Sequence, residues 1–161
     1  MNQEIFIKMA IDGWKGQINA TNKLFGKMTD EELMQEVSPG RNRGIYLLGH
    51  LAAVHDMMLP LLRFGDPILP ELHRPFVELP DRAVAELPPL QQLRAQWNEV
   101  NEKLAAHFNS MSPDDWFTRH ANISEEDFIK EPHRNRLNVL ISRTGHMAGH
   151  HSQLLFLKHK A

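Results

Sequence analysis

The chain has 161 residues, 42% of them hydrophobic and 24% charged, with a formal net charge of −2. That length suits a single domain over residues 1–161 with a real core, and the balance excludes wholesale disorder. Cysteine is absent and ten histidines are present; this excludes disulfides, thiolate zinc sites, iron–sulfur clusters and a protein cysteine nucleophile, and leaves histidine as the source of any nitrogen-rich metal site.

The first amphipathic helix is expected from Asn2 to Met28, where Ile7, Ile11, Trp14, Ile18, Phe25 and Met28 recur at helical spacing. Thr29-Asp30-Glu31-Glu32 reads as a capping box opening a short helix through Glu36, stopped by Ser38-Pro39-Gly40. A second long helix, Asn42–Phe64, is apolar on most faces and therefore buried, with Pro60 loosening its last turn. Gly65–Pro89 holds six prolines, too many for a regular element, so it reads as a connector with one short helix around Asp81–Glu86.

The third long helix follows Pro88-Pro89, with Leu90, Leu93, Trp97, Val100, Leu104 and Phe108 in three–four alternation. Ser112-Pro113-Asp114-Asp115 is a helix start of cap, proline and acids, opening a short helix. A loop over Asn122–Pro132 then leads to the last helix, Arg134–Lys158. No strand is expected. The fold class is all-α: a four-helix bundle with a long Pro-rich connector between helices two and three, whose topology the connector leaves open. Arg41-Asn42-Arg43 and Arg134-Asn135-Arg136 open the second and last helices as a short echo of one another, each followed by a Gly-His pair, Gly49-His50 and Gly145-His146.

His146 and His150 carry the sharpest chemistry. Spaced i and i+4, they share one helix face and can converge on one ion at ~2.0–2.1 Å. Gly145 and Gly149 are unusual inside a helix, and suit a close approach to the backbone. A catalytic ion wants a third protein ligand and an open position for water. On helix two His50 and His55 each sit among bundle-facing apolar residues, so periodicity does not choose between them; a packed core histidine is the competing reading for either. No Glu-x-x-His, HExxH, nucleophile elbow or Gly-rich phosphate loop occurs.

The histidine in LLGHLAAVHD (47–56) and the HxxxH of RNRLNVLISRTGHMAGHHSQL (134–154), together with helix order, the long second connector and SPDDW (112–116), resemble the DinB-like superfamily, including its YfiT-like members. The resemblance covers essentially the whole chain. It implies metal ligands His50, His146 and His150 with water completing the sphere, preferring His50 over His55. It further implies one divalent ion (nickel, zinc, iron or manganese), a homodimer, and activity of thiol S-transferase or hydrolase type on an unidentified small molecule. For the transferase type a low-molecular-weight thiol is the cosubstrate. The alternative is a non-catalytic dimeric metal-binding or stress-response module.

Arg143 lies three residues before His146 and seven before His150, and Arg43 lies seven before His50. Cations there call for an acid. Either Arg143 holds an anionic substrate group such as a carboxylate, or it pairs with connector acids such as Asp66, Glu71 or Glu78. His151 is rotated about 100° from His150 and falls outside the same ligand set. The net charge gives no reason to expect nucleic acid, no apolar stretch approaches the ~18 residues of a membrane span, and no signal-peptide pattern is present. The expectation is therefore a soluble, cytoplasmic protein.

Overall fold

The computed structural model describes residues 3–159. The expected start at Asn2 lies outside them, as do the two ends of the 1–161 domain. The described residues form an all-helical chain with no strand: α1 (Gln3–Lys27), α2 (Asp30–Leu33), α3 (Gly44–Asp56), α4 (Met58–Leu61), α5 (Leu90–Ser110), α6 (Glu125–Lys130) and α7 (Arg136–Leu155). No helix among them is long and apolar enough to cross a membrane.

Local chemistry sets most boundaries. The capping box before α2 is closed on both sides: the Thr29 hydroxyl accepts from the Glu32 N–H (3.1 Å) and the Glu32 carboxylate accepts from the Thr29 N–H (2.8 Å). α2 ends at Leu33, short of Glu36, because the chain turns back and Glu36 forms an isolated antiparallel bridge with Arg43. The expected second helix divides. α3 stops at Asp56, whose carbonyl the ring of Pro60 would strike, and a short α4 follows. Helical turns in the connector lie at Pro70–Leu72 and Arg74–Glu78, and not at Asp81–Glu86 as expected. Asp81 is instead consumed by Arg43, and residues 81–85 form a turn and bend.

Two further corrections concern the last third. Ser112-Pro113 opens only a 3-10 turn, Asp114–Phe117. The expected loop 122–132 contains α6, whose start is capped by the Ser124 hydroxyl accepting from the Asp127 N–H (3.0 Å), with three acids in its first turn. α7 begins at Arg136, capped by Asn135, and gives way at Phe156 to a 3-10 turn. The echo between the starts of α3 and α7 has a structural counterpart: Arg43 and Asn135 both occupy the cap position, and each is in an isolated bridge.

Contacts fix the helix directions. Thr21 meets His151, and Phe6 shares a groove with Ile141, so α1 and α7 run the same way. Trp14 packs edge-on against Phe108 and Phe25 against Trp97, so α1 and α5 are opposed. Leu48 lies beside Trp97 and His55 meets Asn101, so α3 and α5 are parallel. Gly44 meets Leu157 and His50 meets His146, so α3 and α7 are opposed. Because α3 and α5 run in one direction, the connector between them crosses the length of the molecule.

Two buried carboxylates secure that crossing. Asp56 accepts from the N–H groups of Ile68 (2.8 Å) and Leu69 (2.9 Å). Asp81 accepts from the Arg43 backbone N–H (2.8 Å) and takes its guanidinium through both oxygens, the shortest contact being 2.7 Å. Leu72 and Phe76 of the connector are fully buried with Leu48, Leu51, Met58 and Leu62. Side chains of this size each contribute ~1.5–3 kcal/mol on burial. The connector is therefore part of the core, and its position beside α3 is set by packing as well as by hydrogen bonds.

Candidate metal centre

The residues of α3 are almost all buried, so its two histidines must each find an inward environment. Five residues apart on a helix, they are rotated by about 140°. His50 therefore looks toward α7 and His55 toward α5. His55 is fully buried; its Nδ1–H donates to the Asn101 Oδ1 (2.7 Å), and the Asn101 amide donates to the Trp97 carbonyl (2.7 Å). Burial pushes the His55 imidazole down to about 4, which keeps it neutral. It is a core histidine at the α3–α5 seam.

His50, His146 and His150 come together: one ring nitrogen from each lies within 4.8 Å of the other two. The His146 Nε2 is 3.3 Å from the His50 Nε2 and 3.1 Å from the His150 Nε2. The outer nitrogens of two rings are already committed. The His50 Nδ1–H donates to the Phe76 carbonyl of the connector (2.7 Å), and the His150 Nδ1–H donates to the Gln153 side-chain oxygen one turn on (2.7 Å). Both Nε2 atoms thus present lone pairs to the shared space. A proton on the His146 Nε2 can serve only one of them.

A cation satisfies all three. Tetrahedral binding at ~2.0–2.1 Å spaces ligand nitrogens about 3.3 Å apart, close to the two separations above. Such an ion places the His146 proton on Nδ1, which is buried and without a partner among the described residues. Ligating histidines usually donate this outer N–H to an oxygen, which fixes tautomer and ring orientation; His50 and His150 do so already. The donor set fits one divalent ion. All three histidines are partly exposed as residues.

The surroundings favour neutral imidazole, the form that binds metal. Burial lowers the His50 pKa, and the nearby His150 and Arg143 act in the same direction against the Phe76 hydrogen bond. His146 is pushed down to about 4, first by burial and then by the charges of His150, His50, Arg143 and His55. Tyr46 stacks on the His50 ring (6.2 Å between centroids, 12° between planes) and its hydroxyl donates to the Leu79 carbonyl (2.7 Å). The connector therefore orients His50 twice, through Phe76 and through Tyr46.

Gly49 is what admits the connector. A Cβ there would lie 2.3 Å from a ring carbon of Phe76, so only glycine allows the ring and its carbonyl to reach His50. A Cβ at Gly145 or Gly149 would meet nothing within 4 Å. The close approach expected at those two glycines is not made by any described part of the chain.

The arginines separate. Arg43 has its acid in Asp81, but Arg143 forms no ion pair or hydrogen bond with any described residue. Of the acids expected for Arg143, Glu71 accepts from Gln96 and Glu78 lies 3.1 Å from the His73 ring, and Asp66 is exposed and makes no bond to Arg143. Burial lowers the Arg143 pKa, against no compensating anion. His151 turns to α1, its Nδ1 3.2 Å from the Thr21 hydroxyl, and stays out of the cluster. Sequence reasoning missed Phe76, Tyr46 and Gln153. Gln153, three residues after His150, was detectable from helical spacing; a carbonyl delivered by the connector was not.

Comparison with known families fits this arrangement. The sequence model of the DinB superfamily matches residues 14–154. The chain belongs to the DinB superfamily. The match spans all three clustered histidines, and the superfamily is one of metal-binding proteins. No curated protein matches this DinB-superfamily chain.

Proposed function

We propose that this chain is a metal-dependent enzyme of the thiol S-transferase or hydrolase type, built as a four-helix bundle of α1, α3, α5 and α7. His50, His146 and His150 hold one divalent ion (nickel, zinc, iron or manganese) and leave a position open. The observation that carries this reading is the convergence of three imidazole Nε2 atoms, two with their outer nitrogens tied to oxygens, from three partly exposed residues. An ion held this way lowers the pKa of a bound water, or of a bound thiol, toward ~7.

The chain's own residues do the rest. Phe76 and Gln153 fix the His50 and His150 rings with their lone pairs inward. The apolar packing of α3 and the connector excludes water from one side of the cluster, which strengthens the electrostatics there. The absence of cysteine means that a thiol chemistry would rely on a low-molecular-weight cosubstrate. The substrate is a small molecule, and the protein works in the cytoplasm, bound to neither nucleic acid nor membrane.

We further propose a homodimer. Phe6, Met9 and Ile141 are each at least half exposed along an apolar groove between α1 and α7, with Leu137 and Phe117 at its base. Light scattering at micromolar concentration should give twice the chain mass, and Phe6→Glu should halve it. Activity is tested with zinc- or nickel-loaded protein against a thiol plus an aryl halide, and against activated esters and amides. Turnover in either set that is lost in His146→Ala supports the enzyme. No turnover by the metal-loaded dimer moves the assignment to a non-catalytic module.

A further inference from the structure

Arg143 occupies an unusual electrostatic position. It is half-buried on α7, on the same side of the helix as His146 and His150, three and seven residues on. A guanidinium in that setting ordinarily has a carboxylate or carbonyls. Most of the other partly buried arginines do: Arg43 has Asp81, Arg94 has the carbonyls of Phe25 and Met28, Arg119 has the Ile123 carbonyl and Arg134 has Glu131, whereas Arg136, one heptad before Arg143, has a buried Nε without a partner among the described residues. Arg143 has no partner among the described residues. The groups acting on His50 and His146 are His150, His55, Arg143 and the two histidines themselves, with no carboxylate among them. With a divalent ion present, this part of the bundle would carry a guanidinium and an ion of like sign, and no described carboxylate acts on Arg143, His50 or His146.

The structure therefore leaves room for a missing anion, and we propose that Arg143 is the binding residue for the carboxylate of a small substrate or cosubstrate whose reacting atom lies at the histidine cluster. This rests on the metal-centre reading above and names the ligand class for it. A carboxylate fits better than a phosphate. One guanidinium offers two parallel N–H donors, which match one planar monoanion. The donor is also held at a fixed height on α7 relative to both ligands, so the carboxylate would set the distance of the rest of the molecule from the metal. For a thiol cosubstrate, this makes Arg143 select acidic thiols over neutral ones.

The test uses cobalt-loaded full-length protein and three probes: mercaptoacetate, 3-mercaptopropionate and neutral 2-mercaptoethanol. Sulfur-to-cobalt charge-transfer absorbance reads the thiol, and calorimetry reads total binding. At least one acidic thiol should bind tenfold or more tightly than 2-mercaptoethanol. Arg143→Met should abolish that preference while leaving 2-mercaptoethanol affinity within about twofold, and Arg143→Lys should keep part of it. A preference that persists in Arg143→Met, or none in the wild type, overturns the proposal. If cobalt does not load, the metal reading fails separately. Calorimetry of 3-mercaptopropionate with the metal-free protein then decides: Arg143-dependent binding sustains the carboxylate site, and its absence overturns it.

Discussion

Replacing Gly49 by alanine tests whether the connector truly shapes the centre. The new Cβ would stand 2.3–2.5 Å from three ring carbons of Phe76, and that ring is fully buried. Overpacking of this kind costs ~1–3 kcal/mol. Relief by moving Phe76 outward lengthens the 2.7 Å bond from the His50 Nδ1–H to the Phe76 carbonyl, worth ~1 kcal/mol. Loss of such an outer partner typically lowers metal affinity 10–100-fold. The assay is paired: urea unfolding of the metal-free protein, and chelator competition for zinc. Gly49→Ala should lose about 2 kcal/mol and at least tenfold in zinc affinity, and Gly49→Ala/Phe76→Leu should recover part of both. Unchanged zinc affinity in Gly49→Ala would refute the claim that the Phe76 carbonyl positions His50.

His55 makes stability pH-dependent. Its folded pKa of about 4 lies below the ordinary 6.5, so the unfolded chain binds the proton first. The stability contributed is complete above pH ~6.5 and falls by roughly 3 kcal/mol as pH drops toward 4. His55→Leu should reduce that slope in unfolding curves between pH 7 and 4, leaving the share that His146 and His50 contribute in the same direction, and an unchanged slope would place the titration elsewhere. Asp81→Ala leaves the Arg43 guanidinium and backbone N–H without their acceptor. Urea unfolding should show a loss of about 2 kcal/mol, because the pair is nearly buried, and less than additive loss on adding Arg43→Ala. Gly145→Ala and Gly149→Ala, each with open space at the Cβ, should leave zinc affinity unchanged and raise stability by up to ~1 kcal/mol. A fall in either would mean that a group outside the described chain approaches α7 there.

Much of the helix order was legible, because the signals are local. The apolar spacing of α1 and α5, the Thr29–Glu32 capping box and the polyproline connector each act within a few residues. The pairing of His146 and His150 was legible for the same reason, being set by helix geometry alone. Which of His50 and His55 joins them was not. Both point inward, and the choice depends on α3 meeting α7 on one side and α5 on the other, which is tertiary information. The connector's turns were misplaced because Asp81, read as a helix residue, is drawn to Arg43 thirty-eight positions earlier. α6 was missed although Ser124-Glu125-Glu126-Asp127 carries a cap followed by acids; six residues of helix give too little periodicity to register. Gly49 gave no hint of its role, since the ring it accommodates arrives from a remote segment.

In the reading proposed above, His50, His146 and His150, and not His55, form one metal site. Metal content per chain, measured by mass spectrometry on protein purified without a histidine tag and incubated with zinc, nickel or manganese, tests it most directly. About one divalent ion per chain is expected, lost in His50→Ala, His146→Ala and His150→Ala and retained in His55→Ala. No bound metal under any of these conditions, or loss in His55→Ala with retention in His50→Ala, would contradict it.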